Sequence, residues 1–167
     1  MTISAAQISM RFAAEQINAL DLATGSFNLA WGPVWNFADG TGANQAKAVF
    51  SDTRTLTASA TENLDLAGVL TDAFGATITM AKIKAIMITA ASGNTNSVQV
   101  TRPASNGVVL FMAAGDGIAL TPGAGVCAVF PDANGIAVTA GTGDLLTITN
   151  SAGSTSVTYT IAILYTV

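Results

Sequence analysis

The sequence contains no histidine and only one cysteine, Cys127. The first absence excludes a Ser-His-Asp triad, a Cys-His pair and any imidazole metal ligand. The second excludes an internal disulfide. Charge is scarce as well. Six Lys+Arg and ten Asp+Glu make up 10% of the 167 residues, against roughly 25% in ordinary soluble domains. The basic residues are scattered and the net charge is -4, which argues against nucleic-acid binding through clustered phosphate contacts. No apolar run approaches the roughly 18 residues of a membrane span. The start, Met1-Thr2-Ile3-Ser4, has neither the early basic residue nor the apolar stretch of a signal peptide. The expectation is synthesis in a cytoplasm, with no membrane and no nucleic acid as partner.

What remains is strongly apolar. Half of the chain is hydrophobic, and Ala, Thr and Gly are abundant. At this length folding buries roughly 70% of the extended-chain surface, enough for one core without staples. The low net charge and high apolar content argue against disorder. A chain so poor in charge is expected to cover much of its outside against something, since single domains usually stay monomeric through mixed surface charge.

Two regions are expected, 1–50 and 51–167. In the first, Ser4 and Gln7 have capping-box spacing, and Ile8, Phe12 and Ala19 or Leu20 recur at intervals of about four. That pattern predicts a helix over residues 4–20, ended by Asp21 and Gly25. An isolated helix of this length is marginal in water, so it needs a partner. An arm follows, with Phe27, Trp31, Trp35 and Phe37 within eleven residues. It reads either as a flap on its own domain or as a segment that docks on a neighbouring protein.

From residue 50 onward, short β-like runs alternate with Gly, Asn and Asp turns. Strands are expected near 52–57, 61–66, 77–89, 97–102, 107–112, 117–121, 125–130, 135–139, 144–150 and 156–166. The last is the clearest: Val157, Tyr159, Ile161, Ile163 and Tyr165 share one face, and Leu164 on the other implies partial cover there too. The run 77–89 changes phase, so a bulge is expected near Ala81. Ile86, Met87 and Ile88 read as a strand covered on both faces. The fold class is therefore all-β: a jelly-roll-like antiparallel β-sandwich with an N-terminal helix and an extended arm.

No chemistry emerges from the polar residues. Eight of the ten acids are Asp, mostly at turns, and nothing marks a glycosidase pair. Asp132 and Asn134 offer hard oxygens but lack the further ligands of a calcium loop. Gly141-x-Gly143 and Gly115-x-Gly117 lack the lysine and the helix of a phosphate loop. Cys127 has no basic neighbour in sequence to activate it. Met80, Met87 and Met112 read as core filler. No catalytic residue, metal ligand or cofactor is expected.

Several segments carry a resemblance: Ala38-Asp39-Gly40-Thr41-Gly42-Ala43-Asn44-Gln45-Ala46, Ser51-Asp52-Thr53-Arg54-Thr55-Leu56, Leu64-Asp65-Leu66-Ala67-Gly68, Thr71-Asp72-Ala73-Phe74-Gly75, Gly93-Asn94-Thr95-Asn96 and the run from Pro131 to Asp144. From about residue 36 to the C-terminus the chain resembles small virion structural proteins of tailed bacteriophages. The resemblance rests on fold and turn motifs, and leaves the N-terminal segment outside. It implies a non-enzymatic, β-rich part of the particle. Within that group the favoured role is a capsid decoration (cement) protein on the phage head surface, a homotrimer bound to the major capsid protein. The alternative is a tail, fibre or head-fibre module involved in host attachment. Ile8, Phe12, Phe27, Trp31, Trp35 and Phe37 are the candidate partner-binding residues, because aromatic anchors carry a large share of interface energy.

Overall fold

The computed structural model describes residues 2–167. Every regular element among them is a strand: β1 (Ala6–Ser9), β2 (Phe12–Ala19), β3 (Thr24–Trp31), β4 (Val34–Asp39), β5 (Gln45–Ala46), β6 (Ala48–Leu56), β7 (Thr61–Asp65), β8 (Lys82–Ala90), β9 (Val98–Thr101), β10 (Gly117–Leu120), β11 (Gly125–Val129), β12 (Ile136–Ala137), β13 (Leu145–Asn150) and β14 (Val157–Thr166).

The helix expected over 4–20 is absent. Its span holds β1 and β2, which pair with β4 and β3. An interval of four, as from Ile8 to Phe12, fits a strand face as well as a helix face, since four is a multiple of two. Gln7 makes no capping box; its Nε2 donates across the ladder to Asn36 Oδ1 at 2.8 Å. Asp21 lies in a hairpin turn closed by the Leu20 N–H on the Ala23 carbonyl at 2.8 Å.

Two sheets build the body. One runs β11-β8-β14-β6, with β12 also on β8; the other runs β10-β9-β13-β7. Their pairings are antiparallel, and their inner faces share one core. Phe50, Ile86, Ile88, Tyr159, Ile161 and Ile163 from the first sheet meet Leu64, Val98, Val100, Leu146 and Ile148 from the second. The strand expected at 156–166 from its alternation is β14, an inner strand of its sheet, and its odd-numbered residues Val157 to Tyr165 are buried.

Two strand expectations change. Residues 107–112 form only a bridge, Gly107 to Leu145. Residues 77–81 precede β8 as a loop, although Ile78 and Met80 are buried. The expected phase change is real and lies three residues further on. Leu164 faces Ala85 while Tyr165 faces Ile83, so Lys84 is the extra residue of a bulge. The bulge lets Ile83, Ile86 and Ile88 all reach the core despite their mixed parity.

Threonines line the outer faces. Thr53 and Thr160 share a hydrogen bond of 2.9 Å, Thr55 and Thr158 one of 3.0 Å, and Thr61 and Thr149 one of 2.9 Å. At one end a buried amide pair holds the loops: Asn96 Nδ2 donates to Asn150 Oδ1 at 3.0 Å, and Asn150 Nδ2 donates to the Thr57 and Thr155 carbonyls.

β1, β4 and β5 form a small third sheet in which β5 runs parallel to β4. It lies on the outer face of the five-stranded sheet, where Phe37, Ala46, Ala85 and Leu164 make a second buried cluster with Ile3, Ala6, Ile8, Trp35 and Val129 at its edge. This is the partial second cover that Leu164 implied. β6 begins at Ala48, so the body sheet starts slightly before residue 51.

Candidate assembly site

β1, β2, β3 and β4 form a single long ribbon. The pairs Ala6–Phe37, Ile8–Trp35, Phe12–Trp31 and Gln16–Phe27 follow one unbroken register. Only the joint at Met10-Arg11 and Gly32-Pro33 interrupts the strands. There the two chains approach closely. A Cβ on Gly32 would sit 2.1 Å from the Met10 carbonyl oxygen, so only glycine fits.

The proximal half of the ribbon sits on the body. The distal half, β2 and β3, pairs with no other strand, and nearly every one of its residues is exposed. Eight residues of strand extend about 26 Å at 3.3 Å per residue. This exposed segment is a β-ribbon and includes the stretch expected to be helical.

Pairing sorts the arm into two faces. Phe12–Trp31, Ala14–Leu29 and Gln16–Phe27 lie on one; Ala13–Ala30, Glu15–Asn28 and Ile17–Ser26 lie on the other. On the aromatic face Phe12 is 59% exposed, Phe27 63%, Trp31 67% and Leu29 39%. With side-chain areas of about 150–250 Å² for aromatics, these four residues leave roughly 500 Å² of apolar surface open, comparable to the largest patch of a typical monomer. A two-stranded hairpin alone is marginal in water, and nothing within the chain covers this face.

The six candidate residues thus separate. Phe12, Phe27 and Trp31 come together on the arm. Ile8, Trp35 and Phe37 lie on the proximal ribbon and pack against the body, with Phe37 buried. Sequence reasoning missed Leu29, although Phe27, Leu29 and Trp31 alternate with period two.

Beside β1 the outer face of the five-stranded sheet stays open as a groove of about 370 Å³. Its floor includes Val49, Met87, Cys127 and Ala162, and Ala6 to Ser9 form a wall. Met87 is half-exposed there, so the expectation of a strand covered on both faces fails at that residue. Met112 is exposed as well, and only Met80 of the three methionines is core. Burial pushes the Cys127 thiol pKa up, so a smaller share of it is thiolate at neutral pH.

Other polar groups are structural. Lys84, wholly buried at the bulge, donates from Nζ to the Gly42 carbonyl at 3.2 Å and to the Asp132 carbonyl. Burial lowers its pKa, against the opposing pull of the Asp132 carboxylate. Asp132 Oδ1 accepts the backbone N–H groups of Asn134 and Gly135, and these bonds hold its carboxyl below the usual range. That is an Asx turn. Arg54 donates to Asp52 at 2.8 Å and to Glu62 at 2.7 Å, and Glu62 also accepts the buried Tyr159 hydroxyl at 2.6 Å. Among the described residues no group of three or more Cys, Asp or Glu is arranged to hold a metal ion.

No family model, curated protein or solved structure matches the chain.

Proposed function

We propose that the chain is a bacteriophage virion structural protein, a decoration (cement) protein that binds and stabilises the assembled capsid shell as a homo-oligomer. The observation that carries this reading is the arm: a ribbon held off the body with one continuous aromatic face open to solvent. A free monomer gains nothing from such a face, whereas an assembly component uses it as an anchor. The sparse charge of the chain supports the same reading. So does the strand order, in which β6-β14-β8-β11 packs on β7-β13-β9-β10. We take this as a jelly roll of eight strands, a rigid head on which an arm can be mounted. The viral setting and the shell as partner come from the sequence resemblance. No catalysis and no cofactor is assigned.

The test is binding of purified protein to capsids that lack it. Binding to expanded shells but not to free capsid subunits is the expected result; failure to bind the shells overturns the reading. One feature favours a tail, fibre or head-fibre module instead: Phe74 stands exposed at the tip of the 71–77 loop, as a host-contacting aromatic would. Antibody against this protein that blocks phage adsorption would support that alternative.

A further inference from the structure

We propose that the aromatic face of the arm seats in the outer-face groove of a second copy of this chain, so that each copy gives an arm and receives one.

The ribbon itself indicates what kind of surface the arm fits. Its register is constant from Ala6–Phe37 to Gln16–Phe27, so the side that carries Ile8 and Trp35 continues outward as the side that carries Phe12, Trp31, Leu29 and Phe27. At the proximal end that side covers the outer face of the five-stranded sheet, against Ala85, Leu164 and Val129. Beside it, an uncovered apolar part of the same outer face is the groove floor of Val49, Met87, Cys127 and Ala162. One ribbon face therefore already packs on part of this surface, and the apolar groove beside it has no occupant within the chain.

The two surfaces also match in chemistry. The groove lining has no charged residue, and neither do the residues of the aromatic arm face. Docking would leave no unpaired charge buried. A standard interface covers about 800 Å² per partner. Roughly 500 Å² of arm face per contact is below that size, in the range of the smaller protein interfaces.

The copy's own arm is poorly disposed to fill its own groove. Ser9 is on the groove wall and β2 starts at Phe12, so the arm would have to reverse within Met10-Arg11 and Gly32-Pro33. Arm and groove are different patches, so their contact is head-to-tail, and such contacts close into rings when the rotation permits. This deepens the reading of the arm as an assembly device and rests on it. The test below is made in solution without shells, so its failure is distinct from a failure to bind capsids.

The experiment uses three full-length proteins: wild type, an arm variant (Phe27→Ser with Trp31→Ser) and a groove variant (Met87→Lys). All three positions are exposed. By sedimentation velocity at micromolar concentration the wild type is expected to be oligomeric and each variant monomeric. An equimolar mixture of the two variants should form a heterodimer, because one supplies an intact arm and the other an intact groove. A second readout is maleimide labelling of Cys127 on the groove floor, expected at least tenfold slower in the wild type than in the arm variant. A monomeric wild type, a mixture of the two folded variants that stays monomeric, or equal labelling rates would each overturn the proposal. The labelling comparison involves only the arm variant, so it stands even where Met87→Lys disturbs the fold.

Discussion

Arg54 Nη1 lies 2.7 Å from Glu62 Oε2, which ties β6 at the edge of one sheet to β7 at the edge of the other. Glu62 also accepts the hydroxyl of Tyr159, a side chain with 0% exposure. Burial opposes the charge of Arg54, but its bonds to Glu62 and Asp52 outweigh this and raise its pKa.

Glu62→Ala is therefore expected to destabilise the protein by about 2 kcal/mol, because it leaves a buried phenol without an acceptor. Tyr159→Phe should cost about 1 kcal/mol. In the double variant the two costs should fall short of additivity by more than about 0.5 kcal/mol, as for residues in one network. Urea unfolding of the four proteins measures the cycle.

The same phenol predicts a pH dependence. Burial, then the bond to Glu62, holds the Tyr159 pKa above its ordinary value of 10.0. Above about pH 10 the unfolded chain loses this proton while the native chain keeps it. The contribution is thus fully present below pH 10 and declines as pH rises beyond it. Burial raises Tyr165 in the same direction. Tyr159→Phe should flatten the alkaline slope of the unfolding midpoint without abolishing it.

Lys84→Met should preserve the strand and loosen two loops. The ammonium bonds the carbonyls of Gly42 and Asp132, and bonds of this kind contribute about 1.5–3 kcal/mol. A loss near 2 kcal/mol is expected, with faster amide hydrogen exchange in residues 40–46 and 131–135.

The two tryptophans should behave differently. Trp31 is exposed on the arm, and Trp35 packs against the second cluster. At a dilution that keeps the chain monomeric, Trp31→Ala should change stability by less than about 0.5 kcal/mol, whereas Trp35→Ala should cost about 2 kcal/mol. Thermal unfolding measures both.

The body was largely legible in the sequence, because alternation in β14 and Asp or Gly turns reflect local geometry. The phase change before Ile86 required a bulge, but only the partner strand fixed it at Lys84. Residues 12–19 were misread for a physical reason. Ala, Glu and Gln favour helix locally, and only pairing with Thr24–Trp31 makes the segment a strand. Of the candidate site, the aromatic residues were visible, but their division between arm and body depends on which ribbon half meets the sheet. The groove was invisible, since Val49, Met87, Cys127 and Ala162 come from four separate strands.

The threonine pairs on the outer faces, Thr53–Thr160, Thr55–Thr158 and Thr61–Thr149, hold neighbouring strands through neutral hydroxyls. Dissolved ions screen charge pairs but leave neutral hydrogen bonds largely untouched. Most of this exterior should therefore keep its shape and cohesion from dilute buffer to concentrated brine.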